Sequence, residues 1–316
     1  MKTSRHFVHA IAAVLFLYGA FGVSGPASAL ALLAVDEVAG GGNEIVSFSP
    51  TLSRGGFQSV ANPITGFAAD ATGRYIATGA LVTQYNSAGA ALGSVSGAHG
   101  VIYSSLYTYG GILFAASQLN GAINALGAFQ ESALKGGRLF DFTTASKITG
   151  VAADASGIYL ASGRLIGRYD NSGNILDSVS GATGVIYSSL VIHAGDLFAA
   201  SQLNGAINAL GAFQASALKG RKLFDFTTAS KITGVAVDSD GIYLAEGNSI
   251  SLYDFGGNII GSYTGGASDN FGALAFEPSV SAPAPRPHSV AVLGLLLAAV
   301  CFKRRRRTNQ PHDSEA

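Results

Sequence analysis

Few side chains between residues 30 and 280 have the types and spacing that catalysis needs. That stretch holds two histidines, His99 and His193, which stand at unmatched places in an internal repeat. A histidine metal site or a Ser-His-Asp relay needs imidazoles and carboxylates held close together. The sequence therefore predicts a protein that is not an enzyme, with no catalytic residues, no metal site and no cofactor.

One short stretch begins like a calcium-binding loop. Asp238-Ser239-Asp240-Gly241 has the first part of that pattern, but the remainder of the loop and its terminal glutamate are missing. Asp70 to Gly73 and Asp154 to Gly157 occupy the same place in the repeat. Because Asp and Gly favour tight turns between strands, all three stretches are predicted to be hairpin turns.

The composition excludes several classes of protein. Of the 316 residues, 48% are hydrophobic and 12% are charged, which is too little charge for a disordered chain or a coiled coil. Residues 30 to 280 carry 11 basic and 17 acidic side chains, a net charge of −6, which argues against a nucleic-acid partner. The single cysteine, Cys301, cannot form an internal disulfide, so packing must hold the fold together.

A repeat of 84 residues dominates this body. The sequence Ile-Thr-Gly-Phe-Ala-Ala-Asp at Ile64 to Asp70 recurs in similar form from Ile148 and from Ile232, 84 residues apart each time. Leu113 to Asn124 returns unchanged at Leu197 to Asn208. Self-similarity at a fixed period indicates a repeat architecture.

Each period contains two units, and each unit predicts four short strands. In the first unit, such as Ile232 to Gly266, short apolar runs alternate with Gly, Asn and Asp turns, which is typical of an antiparallel meander. In the second unit, Ala98 to Lys147, the predicted strands are Val101 to Tyr107, Ile112 to Ala116, Ala122 to Leu126 and Leu139 to Phe142, with a helical turn at Gln130 to Lys135.

Such small sheets bury little alone and need neighbours on both faces, which a β-propeller provides. The 251 residues from 30 to 280, at about 42 residues per sheet, amount to six blades. The innermost strand of the sixth blade is predicted at Phe271 to Glu277. Its other strands are predicted at Leu30 to Val35, Glu44 to Phe48 and Phe57 to Val60. The predicted fold is an all-β, six-bladed propeller that is closed by pairing of its N- and C-terminal strands.

The first unit resembles an NHL-type blade. The resemblance rests on Gly234-Val235-Ala236-Val237-Asp238, on Gly241 to Ala245 and on Leu252-Tyr253-Asp254. It implies a propeller, and a fold alone does not confer an activity.

One face of a propeller carries both the loops between second and third strands and the connections between blades, and ligands usually bind there. Amides beside lysine suit hydrogen bonds to a hydroxyl-rich or anionic polysaccharide, and tyrosine rings add flat apolar contact. The candidate binding residues on these loops are Gln118, Asn120, Gln202, Asn204, Lys147, Lys231, Tyr103 and Tyr187. The alternative is that these side chains only satisfy the loop backbones.

Both ends of the chain indicate export. Residues 1 to 29 predict a signal peptide, with Lys2 and Arg5, an apolar run and the cleavage site Ala27-Ser28-Ala29. At the other end, residues 281 to 289 form a Pro-rich linker, 290 to 302 a short transmembrane helix and 303 to 316 a basic cytoplasmic tail. The propeller is therefore expected on the periplasmic side of the inner membrane or at the cell surface.

This order of linker, apolar helix and arginine cluster resembles the PEP-CTERM sorting signal. The Pro-Glu-Pro triplet of that family corresponds to Pro285-Arg286-Pro287, with Arg in place of Glu. The resemblance implies an exosortase as partner, which removes the tail as the protein moves to the cell surface or the extracellular matrix. A plain C-terminal anchor is the alternative, and Cys301 within the apolar run is predicted to pack rather than to react.

The leading prediction is a non-enzymatic interaction module of the cell envelope that binds extracellular polysaccharide or protein. One alternative is a six-bladed propeller enzyme of the lactonase or lyase kind. That alternative would be favoured if three or more of four carboxylates surrounded one channel with a cation, namely Asp70, Asp154, Asp238 and Glu277. The other alternative is a structural matrix protein with no saturable ligand.

Overall fold

The computed structural model describes residues 30–38, 42–121, 123–219 and 222–278. They form six four-stranded antiparallel sheets arranged as a propeller, and helical structure in them is limited to a 3-10 turn, Glu131–Ala133. The predicted signal peptide, linker, transmembrane helix, basic tail and Pro285-Arg286-Pro287 motif all lie outside these residues. Within them, no helix has the length and hydropathy to cross a bilayer.

Twenty-four strands make up the sheets. In chain order they are β1 (Leu30–Val38), β2 (Gly42–Phe48), β3 (Arg54–Val60), β4 (Gly66–Asp70), β5 (Gly73–Thr78), β6 (Leu81–Tyr85), β7 (Ala91–Ser96), β8 (Val101–Tyr109), β9 (Ile112–Leu119), β10 (Ile123–Gln130), β11 (Arg138–Thr144), β12 (Gly150–Asp154), β13 (Gly157–Ser162), β14 (Leu165–Tyr169), β15 (Ile175–Ser180), β16 (Val185–His193), β17 (Asp196–Leu203), β18 (Ile207–Gln214), β19 (Lys222–Thr228), β20 (Gly234–Val237), β21 (Ile242–Glu246), β22 (Ser249–Tyr253), β23 (Ile259–Thr264) and β24 (Phe271–Pro278).

Each blade runs from an innermost to an outermost strand. Blades 1 to 5 are β4–β7, β8–β11, β12–β15, β16–β19 and β20–β23, and blade 6 combines β24 with β1, β2 and β3. We call the end of the ring that carries the turns between second and third strands and the connections between blades the upper face, and the opposite end the lower face. The sequence prediction of an all-β, six-bladed propeller is confirmed.

The core consists of six buried clusters, one between each pair of neighbouring blades. Alternate residues of a strand point to opposite faces of its sheet, so one strand serves two clusters. In β1, Leu32 and Ala34 pack against blade 5, whereas Leu33 and Val35 pack against blade 1. A blade is therefore apolar on both faces, which explains the continuous apolar runs in the sequence.

The blades repeat in pairs around a pseudo-threefold axis. The backbone N–H of Tyr103 donates to Gly79 O (2.9 Å), that of Tyr187 to Gly163 O (2.8 Å) and that of Phe271 to Gly247 O (2.7 Å). These donors and acceptors are spaced by the 84-residue period. Blades 2, 4 and 6 are thus equivalent members of one type, and blades 1, 3 and 5 of the other.

The ring closes through blade 6. Strand β1 pairs antiparallel with β24, from Leu30 opposite Pro278 to Asp36 opposite Phe271, with a register shift between Ala34 and Asp36. This is the predicted pairing of the two ends of the domain, and it gives β1 a partner on its inner side.

A salt bridge reinforces this closure at the boundary between blades 6 and 1. Arg74 on β5 donates to both carboxylate oxygens of Glu277 on β24, with Nη2 2.7 Å from Oε2. Arg74 Nη1 also donates to Gln58 Oε1 at 3.0 Å. The equivalent residue one period later is Ile158, so the ion pair is specific to the blade boundary where the chain ends meet.

The predicted strands of blade 2 all end too early: β8 was predicted to end at Tyr107, β9 at Ala116, β10 at Leu126 and β11 at Phe142. Strand β10 extends four residues beyond the predicted Leu126, because its ladder with β9 continues to Gln130 opposite Ile112. The helical turn predicted at Gln130 to Lys135 is shorter, Glu131–Ala133.

Candidate functional site

A channel of about 480 Å³ runs along the axis of the propeller, lined by the innermost strands. Hydroxyl side chains dominate its polar lining, namely those of Thr65, Ser104, Ser105, Thr108, Thr149, Ser188, Ser189 and Thr233. The threonine hydroxyls of Thr149 and Thr233 join neighbouring blades, each donating to a backbone carbonyl at 2.6 Å. Among the described lining residues, Glu37 at the upper mouth is the one with a formal charge.

The four carboxylates that would favour an enzyme do not surround this channel. Asp70, Asp154 and Asp238 each cap the turn after an innermost strand, accepting from the N–H two residues ahead at 2.8 Å. Glu277 is engaged by Arg74. The stretch that begins like a calcium loop is a turn as predicted, and no group of three or more metal-binding side chains occurs in the described part of the chain.

Two of the predicted binding residues, Gln118 and Gln202, lie in matching rows of side chains at the upper ends of blades 2 and 4. Each row crosses all four strands of its blade in register: Ile102, Gln118, Asn124 and Thr144 in blade 2, and Ile186, Gln202, Asn208 and Thr228 in blade 4. We call them the amide rows.

The same hydrogen bonds fix the amides of both rows. Gln118 Nε2 donates to Asn124 Oδ1 (3.3 Å) and to Gly121 O (3.1 Å). Gln202 Nε2 donates to Asn208 Oδ1 (3.1 Å) and to Gly205 O (3.3 Å). Each glutamine therefore stabilises its own turn, and the glutamine Oε1 and the asparagine Nδ2 are not used in these bonds.

Asn120 and Asn204 shape the turns beside the amide rows. Their φ angles are 49° and 50°, in the left-handed region that Asn tolerates better than most residues. Their N–H groups donate to Gly100 O and Gly184 O at 3.0 Å, which ties each turn to the connection from the preceding blade. The backbone geometry of the turns explains why asparagine stands at both positions. This agrees with the alternative prediction that these residues serve the loop backbones.

The tyrosines predicted as contact residues lie in the core instead. Tyr103 and Tyr187 are buried and pack edge to face with Phe129 and Phe213. Their strand neighbours Ile102 and Ile186 point the other way and are 51% and 52% exposed. Because side chains alternate along a strand, this alternation was the signal in the sequence that could have identified the isoleucines.

Lys231 completes a small pocket at the amide row of blade 4. The pocket has a volume of about 230 Å³ and is lined by Ile186, Ser188, Ser201, Gln202, Asn208, Lys231 and Ile232. Lys147 is the equivalent residue after blade 2, and both lysines are exposed. The structure thus brings together Gln202 and Lys231 of the predicted set.

The third equivalent position, in blade 6, has different chemistry. Glu37 pairs with Asn43 across β1 and β2, as Gln118 pairs with Asn124, and Asp36 precedes it. Asp36 is fully buried, and this burial raises the pKa of its carboxyl. The backbone N–H of Asn270 donates to Asp36 Oδ1 at 2.9 Å and lowers the pKa by a smaller amount. Arg54 lies 3.0 Å from Asp269 and 3.7 Å from Asp36.

Arg164 is a further upper-face cation that the sequence analysis did not single out. It follows Gly163 in the turn between β13 and β14 of blade 3, between the two amide rows, and it is exposed. The equivalent residues in blades 1 and 5 are Ala80 and Asn248. The one signal in the sequence was that Arg164 follows a glycine that recurs in the repeat, at the turn between second and third strands. That signal could have placed Arg164 on the upper face.

Comparison with solved structures supports the fold. A protein of unknown function from Bacteroides caccae is similar with a TM-score of 0.62 and 10% sequence identity, over 79% of this chain and 99% of that one. Raptor from Chaetomium thermophilum has a TM-score of 0.44 and 10% identity, over 65% of this chain and 25% of that one. Models of known protein families and curated proteins give no match. At such identity the first likeness shows the propeller fold alone.

Proposed function

We propose that this protein is an exported, non-enzymatic interaction module that binds extracellular polysaccharide at its upper face. The observation that carries the proposal is the amide row, in which an exposed isoleucine, a glutamine and an asparagine stand side by side next to a lysine. Two copies of this arrangement occur, in blades 2 and 4.

The chemistry of the row suits a sugar. A sugar hydroxyl both donates and accepts, and the glutamine Oε1 beside the asparagine Nδ2 offers an acceptor next to a donor. The exposed Ile102 and Ile186 give an apolar surface for the C–H groups of a sugar ring. Because the internal hydrogen bonds hold each glutamine in place, little side-chain freedom is lost when a ligand binds.

A glycan array probed with the full-length protein tests this binding. We expect retention on polysaccharide and a loss of at least about tenfold in affinity when Gln118→Ala and Gln202→Ala are combined, because both rows lose their central amide. The control is Lys135→Ala with Lys219→Ala, an equally duplicated pair on the lower face. Absence of binding to any glycan would contradict the proposal, and release of shortened or modified sugar products would contradict its non-enzymatic part.

The export part of the proposal rests on the sequence at the two ends of the chain. We propose that the signal peptide directs export and that the C-terminal segment anchors the protein on the periplasmic side or has it sorted by an exosortase to the cell surface. Mass spectrometry of the termini in the native host separates these outcomes. A chain that ends near Pro287 supports sorting, and a chain intact to Ala316 supports a simple anchor.

A further inference from the structure

The two amide rows are equivalent in detail. They lie within stretches that are identical in sequence, 100–106 with 184–190, 113–130 with 197–214 and 139–150 with 223–234. Their internal hydrogen bonds join the same atoms, and their isoleucines are equally exposed. A ligand group that fits one row therefore fits the other.

The rows lie on one face with a cation between them. Blade 3 separates blades 2 and 4, and its upper turn carries Arg164. Lys147, Arg164 and Lys231 are all exposed, and none has an ion-pair partner among the residues that the structure describes. Three positive charges that form no salt bridge in this part of the chain thus follow one another along blades 2, 3 and 4, and Glu246 of blade 5 shares a pocket with Thr228 and Ser230 beside Lys231.

Blade 6 has the opposite charge at the same place. Asp36 and Glu37 occupy the positions of Ser117 and Gln118, and Pro63 stands where Lys147 stands. Glu44 and Asp269 lie beside them, with Arg54 as the counter-charge. The upper face is therefore polarised, and an anionic ligand is attracted to blades 2 to 4 and repelled from blade 6.

We propose that one anionic polysaccharide chain lies across blades 2, 3 and 4, with acidic sugar units in the two amide rows and Arg164 against the segment between them. This inference rests on the proposed function and names its ligand class. Two equivalent weak subsites on a rigid ring gain affinity for a repeating polymer, because the second contact is intramolecular. The observation of two matched rows, with a third that is acidic, points to a polymer rather than a single sugar.

Titration of the full-length protein with polygalacturonate, short oligogalacturonates and neutral dextran tests the inference. We expect two short oligomers of about two or three units to bind per protein molecule, and the polymer to bind at least about tenfold more tightly than they do. Lys147→Ala or Lys231→Ala alone should reduce the short-oligomer stoichiometry from two to one and weaken polymer binding about tenfold or more. The double variant should lose both.

The controls separate this inference from the proposed function. Lys135→Ala with Lys219→Ala removes two lysines from the lower face and should leave polymer binding unchanged. Equal binding of dextran and polygalacturonate, or one short oligomer per molecule, would overturn the inference and leave the proposed function standing. Equal affinity for double-stranded DNA would also overturn it. If neither polysaccharide binds, the inference is overturned, and the proposed function fails too if the glycan array also shows no binding.

Discussion

Glu131 shows how one side chain can give two nearly identical blades different properties. It is 3% exposed at the lower face of blade 2, where the copy in blade 4 has Ala215. Burial, together with a hydrogen bond to Asp70 and the charge of Asp70, raises the pKa of Glu131 to about 8. At neutral pH the carboxyl of Glu131 therefore keeps its proton.

Glu131 predicts a stability that falls as the pH rises. The folded state keeps a proton that the unfolded chain releases above its ordinary pKa of 4.5, so the free energy of unfolding decreases between about pH 5 and pH 8. We expect a loss on the order of 2 kcal/mol over that range, since nearby water weakens the effect. Urea denaturation at a series of pH values measures it.

Glu131→Gln should flatten this pH dependence, because glutamine keeps the shape and the hydrogen-bonding donor without titrating. Glu131→Ala, which reproduces the residue of blade 4, should do the same. A slope equal to that of the unmodified protein would show that another group carries the pH dependence.

For single residues, the sequence predicted some positions in the fold but not the contacts between blades. Lys147 and Lys231 could be placed on the upper face because the repeat puts both before an innermost strand. The partnership of Glu131 with Asp70 could not be predicted, because the two residues lie on different blades and only packing brings them together.

Among the strands, β5 and β24 are joined by a largely buried ion pair that reinforces the closure of the ring. The side chains of Arg74 and Glu277 are 12% and 9% exposed and form a bidentate contact. Most of the water around both charges is removed, so each charge depends on the other.

Arg74→Ala is expected to destabilise the protein by about 3 kcal/mol, because Glu277 would remain buried without its counter-charge. Chemical denaturation measures the change. The matched control is Lys222→Ala, which breaks the exposed Lys222–Asp225 pair, 46% and 55% exposed, and should cost less than about 1 kcal/mol. Equal losses in the two variants would mean that the buried pair contributes no more than a surface contact.

The strands were predictable wherever turn residues bounded them. The turns after β4, β12 and β20 each begin with aspartate, and the structure confirms them as tight turns. Strand β10 was predicted too short because its end coincides with no glycine or proline but with a change of hydrogen-bond partners at Gln130.

For the whole molecule, closure of the ring decides whether the six sheets unfold together. Strand β24 is both the innermost strand of blade 6 and the partner of β1. Without β24, the inner edge of β1 is open. The cluster between blades 5 and 6 then loses Phe271 and Leu274, and the cluster between blades 6 and 1 loses Ala273 and Ala275.

We expect the closed ring to unfold in one cooperative thermal transition, and a chain that stops at Asn270 to unfold in more than one and to become sensitive to protease in blade 6. A chain that stops at Ser279 keeps β24 and serves as the control. Differential scanning calorimetry and limited proteolysis compare the two. The same transition midpoint in both chains would mean that closure by β24 is unimportant for stability.

The ring could be predicted because the repeat length and the unmatched pieces at the two ends of the domain add up to a whole number of sheets. The polarity of the upper face could not. It arises because Asp36 and Glu37, which precede the 84-residue repeats in the sequence, take the positions of Ser117 and Gln118 once β1 joins blade 6.

The two 84-residue copies, 64–147 and 148–231, also have a genetic consequence, because they share long identical stretches. Recombination between the DNA segments that encode them would delete or insert one odd and one even blade together, and so preserve the strand phase that lets β1 meet β24. The products would have four or eight blades instead of six, both within the usual range of propellers. Descendants of this gene can therefore change the diameter of the ring, and the number of lysine-bearing amide rows, in a single step.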